Sequence, residues 1–174
     1  MSENGTQQYF GKYRGTVITN IDPLQIGRLM VQVPDVLGTS TSSWALPCVP
    51  FTGRGSGVYV VPQIGSGVWV EFEHGDPDYP IWTGGFWGSV SEVPTLAMAG
   101  NPISPSIILQ SGLQSTIMIS DLPGPTGGIL IKHATSSAMI MINDLGITIT
   151  NGKGATITMM ANIIDLNNGA LTII

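Results

Sequence analysis

The residues best equipped for chemistry are Glu71, Glu73, His74, Asp76 and Asp78, five ionisable side chains within eight positions. Carboxylates beside an imidazole could act as a general acid–base pair or ligate a divalent cation. On a strand, however, Glu71 and Glu73 share the outward face opposite Val70 and Phe72, and Asp76-Pro77 is ordinary turn chemistry. The pattern therefore predicts a strand end and a tight turn. Gly53-Arg54-Gly55-Ser56-Gly57 has the look of a phosphate loop, but such loops open a helix, whereas a strand from Val58 to Val61 is expected here. Cys48, between Pro47 and Pro50, has no catalytic partner nearby in sequence and is expected to be a small buried hydrophobe. Trp44, Trp69, Trp82 and Trp87 could stack bases, yet Lys12, Arg14, Arg28 and Arg54 around them are outnumbered by acids. Packing is the better use for these tryptophans. The sequence points to no catalytic residue, cofactor or metal.

The elements that position these residues follow from composition. Only 10% of the 174 residues are charged, against about 25% in an average soluble domain. Gly (23) and Pro (12) are abundant, while the hydrophobic fraction is 43%. Disorder requires low hydrophobicity, so the chain is expected to be ordered and all-β. The net charge of −5 disfavours nucleic acid as a partner. The first residues show neither a basic nor an apolar stretch of a signal peptide, and no apolar run approaches the ~18 residues of a membrane span. Synthesis and assembly in the cytoplasm are expected.

Two halves follow different patterns. After a polar tail at 1–8, residues 9–88 carry five or six short strands: Tyr13 to Asn20, a run in which Leu29, Val31 and Val33 alternate with Arg28, Met30 and Gln32, Trp44 to Val49, Val58 to Val61, an alternation at Val68, Val70 and Phe72, and Ile81 to Trp87. That number in about 80 residues predicts an OB-fold barrel. Residues 89–106, with Pro94, Gly100, Pro102 and Pro105, read as a linker.

Residues 107–174 repeat. Apolar pairs two apart occur at Ile117/Ile119, Ile129/Ile131, Ile140/Ile142, Ile147/Ile149, Ile157/Met159, Ile164/Leu166 and Leu171/Ile173, separated by Asn- and Gly-rich turns, with Thr148, Thr150, Thr156, Thr158 and Thr172 opposite. Short stacked strands of this kind predict a β-solenoid. Strands this short are expected to leave ladder groups unpaired in one chain, which predicts a homotrimer, three copies wound around one axis with Ile140, Ile142, Ile147, Ile149, Ile157, Met159, Ile164 and Leu166 as its core; the competing reading is a single-chain solenoid, whose coils of about 20 residues are longer than the spacing here.

Three segments carry a family resemblance. They are Tyr13-Arg14-Gly15 with Asp22-Pro23 and Gly27 to Pro34; Pro62-Gln63-Ile64-Gly65-Ser66-Gly67-Val68-Trp69-Val70-Glu71-Phe72; and Glu73-His74-Gly75-Asp76-Pro77-Asp78-Tyr79-Pro80-Ile81-Trp82-Thr83-Gly84. Together with the downstream repeats, they resemble the phage baseplate assembly protein V family and the matching part of VgrG spikes. The resemblance implies an OB-fold collar followed by an intertwined, trimeric triple-stranded β-helix needle. It also implies a non-enzymatic role at the centre of a contractile injection system or phage tail, piercing a target membrane from an extracellular or virion-like particle.

The departures from the family add expectations. VgrG spikes carry a hub domain before the barrel; here about eight residues precede it, so a separate hub protein is expected at the collar. The linker is too short for the lysozyme domain of some phage spikes. His74 and His133 do not form the iron-binding His-x-His of some needle tips. Leu171, Thr172, Ile173 and Ile174 would leave three copies with a blunt apolar platform, expected to bind a PAAR-type tip protein. Two rivals are an OB-fold protein binding oligosaccharide or nucleic acid on a β-solenoid stalk, and a β-helical glycan depolymerase. The depolymerase would need paired carboxylates, and Asp121, Asp144 and Asp165 stand far apart in sequence.

Overall fold

The computed structural model describes residues 7–99 and 103–173. The chain divides into two compact units, Met1–Val90 and Ser91–Ile174. Most of the expected tail at 1–8, together with Gly100, Pro102 and Ile174, lies outside the described residues.

The first unit holds β1 (Tyr13–Thr19), β2 (Met30–Gln32), the short helix α1 (Pro34–Leu37), β3 (Leu46–Pro47), β4 (Thr52–Gly53), β5 (Ser56–Gly57), β6 (Gly67–Phe72) and β7 (Pro80–Phe86). Five strands form one sheet in the order β2-β1-β6-β7-β3. Only β3 and β7 pair in parallel. Bridges Leu29–Ala45 and Gln32–Thr41 join the two ends of the sheet, so it closes into a barrel. Alternation places one face of every strand inside: Val17, Leu29, Val31, Val33, Val68 and Val70 are fully buried, with Ala45, Phe72 and Trp82 completing the core.

One loop of the barrel is unusually fixed. Asp22, only 8% exposed, accepts hydrogen bonds from the backbone N–H groups of Leu24 (3.0 Å), Ile26 (3.0 Å) and Arg28 (3.2 Å). The Arg28 guanidinium donates two more, at 3.0 and 2.7 Å, and lies over the Trp44 ring. Arg28 and then the backbone donors hold the Asp22 carboxyl far below the usual carboxylate range, against the opposing effect of burial. Trp82 Nε1 donates to Gly27 O at 3.0 Å, tying the loop to the core.

Three sequence expectations need correction here. Val58–Val61 is not a strand; the Gly-rich segment forms the β4–β5 hairpin instead, and Val58 to Val61 line a surface cavity. Cys48 is exposed rather than buried, because the period of two that places Ala45 inside turns Leu46 and Cys48 outward. Glu73 does not share a strand face with Glu71: the strand ends at Phe72, and Glu73–Gly75 form a 3-10 turn in which His74 takes a left-handed φ of 51°.

In the second unit, the segment read as a linker contains a 3-10 turn at Val90–Glu92 and the four-residue α2 (Thr95–Met98). Eight strands follow: β8 (Ile107–Gln110), β9 (Thr116–Ser120), β10 (Gly128–Lys132), β11 (Met139–Asn143), β12 (Gly146–Thr150), β13 (Thr156–Met160), β14 (Ile163–Leu166) and β15 (Leu171–Ile173). They pair antiparallel in sequence order as one sheet. The expectation that such short strands leave their ladder unpaired in one chain is therefore corrected. Tight turns fold each strand back on its predecessor, and only the outer edges of β8 and β15 have no strand neighbour in the sheet.

Candidate functional site

The turns of the second unit are set by side chains that accept from their own backbone. Asn143 Oδ1 accepts from Leu145 N at 2.9 Å, and Asn151 Oδ1 from Lys153 N and Ala155 N. Asp165 Oδ1 accepts from Gly169 N, and Asp144 Oδ2 from Gly124 N. Glycine takes the positions where strands start against neighbouring backbone. A Cβ at Gly128 (φ +91) would lie 1.9 Å from Ile142 O, and one at Gly146 (φ +137) 2.0 Å from Met159 O. These contacts lock the register, since the side-chain period of two makes a one-residue slip invert the faces.

That register builds a site that spacing alone only hints at. Ile140 faces Ile149 and Ile142 faces Ile147; Ile149 faces Ile157 and Ile147 faces Met159; Ile157 faces Leu166 and Met159 faces Ile164; Ile164 faces Ile173 and Leu166 faces Leu171. Upstream the same two rows continue through Ile129/Ile131, Ile117/Ile119 and Ile107/Leu109. Sixteen apolar side chains thus stand in two adjacent rows on one face of the sheet. The last pair, Ile107/Leu109, extends the seven read from sequence to eight.

Among the described residues, nothing covers this face fully. Ile142 is 42% exposed, Ile131 47% and Ile173 52%, and the remaining row members are exposed or half-buried. The eight residues expected at a trimer core all lie in the two rows. Of the residues expected at the tip, Leu171 and Ile173 end the rows and are exposed. Thr172 pairs with Asp165 through the backbone, and Ile174 lies outside the described residues. The opposite face reads Ile108, Met118, Leu130 and Met141, then Thr148, Thr158 and Asp165, with Met160 and Ile163 beside them. Met118 and Leu130 are buried.

The barrel's ionisable residues do not converge. Glu71 pairs with Lys12 at 2.8 Å on an exposed face, and Asp76 Oδ1 accepts from Asp78 N to close its turn. Among the described residues, no group of three or more His, Cys, Asp or Glu is placed to hold a metal ion. Arg14 stacks against Trp69 and Phe86, Trp82 is buried and Trp87 exposed. The Asp22 clamp was not anticipated from the sequence. The signal available was Arg28 six positions later, at the start of the alternating run.

Comparison with known families divides the chain in the same two parts. Residues 13–87 match the type VI secretion system/phage-baseplate injector OB domain, and residues 106–172 match the phage baseplate V C-terminal trimerisation domain. No curated protein matches.

Proposed function

We propose, from the chain's membership of the phage baseplate V family, that three copies form the central spike of a contractile injection system or phage tail. The observation that carries this reading is the uncovered double apolar ladder in the segment matching the trimerisation domain. A face of sixteen apolar side chains is a liability in a solitary chain. Three such sheets around one axis turn all three faces inward, making the triple-stranded β-helix and leaving the threonine columns outside. Eight strands about 4.8 Å apart give each sheet a length of roughly 34 Å.

The role is mechanical, without catalysis. The collar would join a separate hub protein, and the needle would be driven through a target membrane on contraction. A charge-poor shaft suits that passage: two of its three carboxylates, Asp144 and Asp165, are engaged in turns. The nucleic-acid alternative for the barrel finds little support. Of its four cations, Lys12 pairs with Glu71, Arg28 with Asp22, and Arg14 lies over aromatic rings.

At the far end of the sheet, β15 pairs on one side only. Its free edge and the row ends Leu171 and Ile173 would seat a tip protein of the PAAR-repeat type. Native mass spectrometry of the purified protein should give three times the 18.3 kDa of one chain, and a well-folded single copy would overturn the spike reading. Removing residues 171–174 should abolish tip-protein capture while the three-chain mass persists; retained capture would remove the tip assignment alone.

A further inference from the structure

The turn between β14 and β15 brings together an asparagine, a glycine and a carboxylate that the spike reading does not use. Among the described residues, Asn-Gly steps occur at Asn151-Gly152 and Asn168-Gly169. Such a step can cyclise, because glycine has no Cβ to shield its backbone nitrogen. That nitrogen attacks the asparagine Cγ, the Cγ–Nδ2 bond breaks, and ammonia leaves. Water then opens the five-membered imide to aspartate or isoaspartate. The obstacle is the amide proton, which must be taken away as the N–Cγ bond forms.

The two steps differ at that proton. Gly169 N donates to Asp165 Oδ1 at 2.9 Å, within the reach of a general base. A Cβ at Gly169 would lie 3.9 Å from Asp165 Oδ2, so the carboxylate lies against this residue with both oxygens. Asn168 is exposed, and its side chain makes no hydrogen bond among the described residues. It shares a surface cavity with Asp165, Thr158, Met160 and Ile163, on the face opposite the ladder. At Gly152 the acceptor is instead the Thr150 hydroxyl, at 3.1 Å, a far weaker base than a carboxylate. Asn151 Oδ1 is also held by Lys153 N at 2.8 Å and Ala155 N at 3.1 Å, which fixes the side chain that would have to swing.

We infer that Asn168 is a self-modification site, with Asp165 as the general base for its deamidation. Asp165 takes the Gly169 N–H proton as the N–Cγ bond forms and passes it to Nδ2, which departs as ammonia. Water is the only co-reactant, and nothing is oxidised or reduced. Opening to isoaspartate adds a methylene to the backbone of the turn, and either product adds a negative charge beside Asp165. Both changes loosen the pairing of Leu171 with Leu166 and of Ile173 with Ile164. The modified chain would lose the last rung of its ladder.

Peptide mapping of the purified full-length protein during incubation at mildly alkaline pH reads both sites in one sample, with aspartate and isoaspartate products separated. In the folded protein Asn168 should deamidate several-fold faster than Asn151, and faster than it does in guanidinium. Asn151 should be slower folded than unfolded. Asp165→Asn keeps an acceptor for Gly169 N but removes the base, so the Asn168 rate should fall several-fold while the Asn151 rate holds. Equal rates at the two sites in the folded protein, or slower loss of Asn168 folded than unfolded, would overturn the inference. An unchanged Asn168 rate in folded Asp165→Asn would overturn it as well, leaving Asp165 a structural acceptor. If the variant unfolds, which an accelerated Asn151 would reveal, the wild-type comparison of folded and unfolded rates decides alone.

Discussion

Ile149→Ala offers the sharpest test of the ladder, because two accounts of the same residue differ by an order of magnitude. In one chain Ile149 is 37% exposed, facing Ile140 and Ile157 across the sheet. If the chain acts alone, truncating so open a side chain changes stability by about 0.5 kcal/mol or less, as for most surface substitutions. If three sheets close over the ladder, the side chain is core, and Ile→Ala costs about 2–5 kcal/mol per copy. The substitution is present three times per assembly, so the trimer loses roughly 6–15 kcal/mol, some 4 to 11 decades in its dissociation constant. Thr148→Ala is the matched control, one residue away on the opposite face. Guanidinium unfolding followed by circular dichroism, with native mass spectrometry at each midpoint, reads both. The expected result is a large fall in midpoint and loss of the three-chain mass for Ile149→Ala, with little change for Thr148→Ala. Equal, small effects from the two would refute the ladder as a buried interface.

Three further substitutions probe how the sequence fixes each unit. Gly146→Ala should lower the shaft's unfolding midpoint by at least the 1–3 kcal/mol of a strained backbone, because φ is +137° and the new Cβ meets Met159 O; a neutral result would show that the β12 start can relax. Trp82→Phe keeps the buried ring but leaves Gly27 O without its donor, which should cost the collar about 1–3 kcal/mol in thermal or denaturant unfolding. Asp22→Asn should destabilise the collar at neutral pH and flatten its acid unfolding curve. The folded-state pKa of Asp22 is depressed, so its contribution is complete above the unfolded carboxylate pKa of about 3.9 and is lost as pH falls below it. Wild type and variant should therefore converge in strong acid, and parallel curves would show that the Asp22 clamp contributes nothing.

Much of this architecture was legible because burial imposes periods that a sequence must obey. Leu29, Val31 and Val33, and again Val68, Val70 and Phe72, alternate because one side of each faces the barrel core. The isoleucine pairs announced short stacked strands for the same reason. Hairpin connectivity was not legible from their spacing. A separation of seven between Ile140 and Ile147 fits a strand with a two-residue turn as well as a winding coil, and only the reflection of register, Ile142 against Ile147, selects the hairpin. Val58 to Val61 looks like a strand because it is apolar, but it ends at Pro62 and has no ladder partner, so its apolarity serves a surface. The Asp22 clamp depends on a loop bringing residues six apart face to face, a geometry for which no period exists.

The outer column of the shaft explains why a needle should change along its length. In β8 to β11 it is Ile108, Met118, Leu130 and Met141; in β12 to β14 it is Thr148, Thr158 and Asp165. Met118 and Leu130 are only 5% and 6% exposed within one chain, so these two side chains are covered by the chain itself, whereas Ile108 and Met141 are half-buried. Thr148 and Thr158 need no such cover, because a hydroxyl can meet water directly. In the downstream half the same face also carries the exposed pair Met160 and Ile163 beside Thr158 and Asp165. If three chains close over the ladder, its two rows are shielded from water, while Met160 and Ile163 stay on the outer side of the last strands.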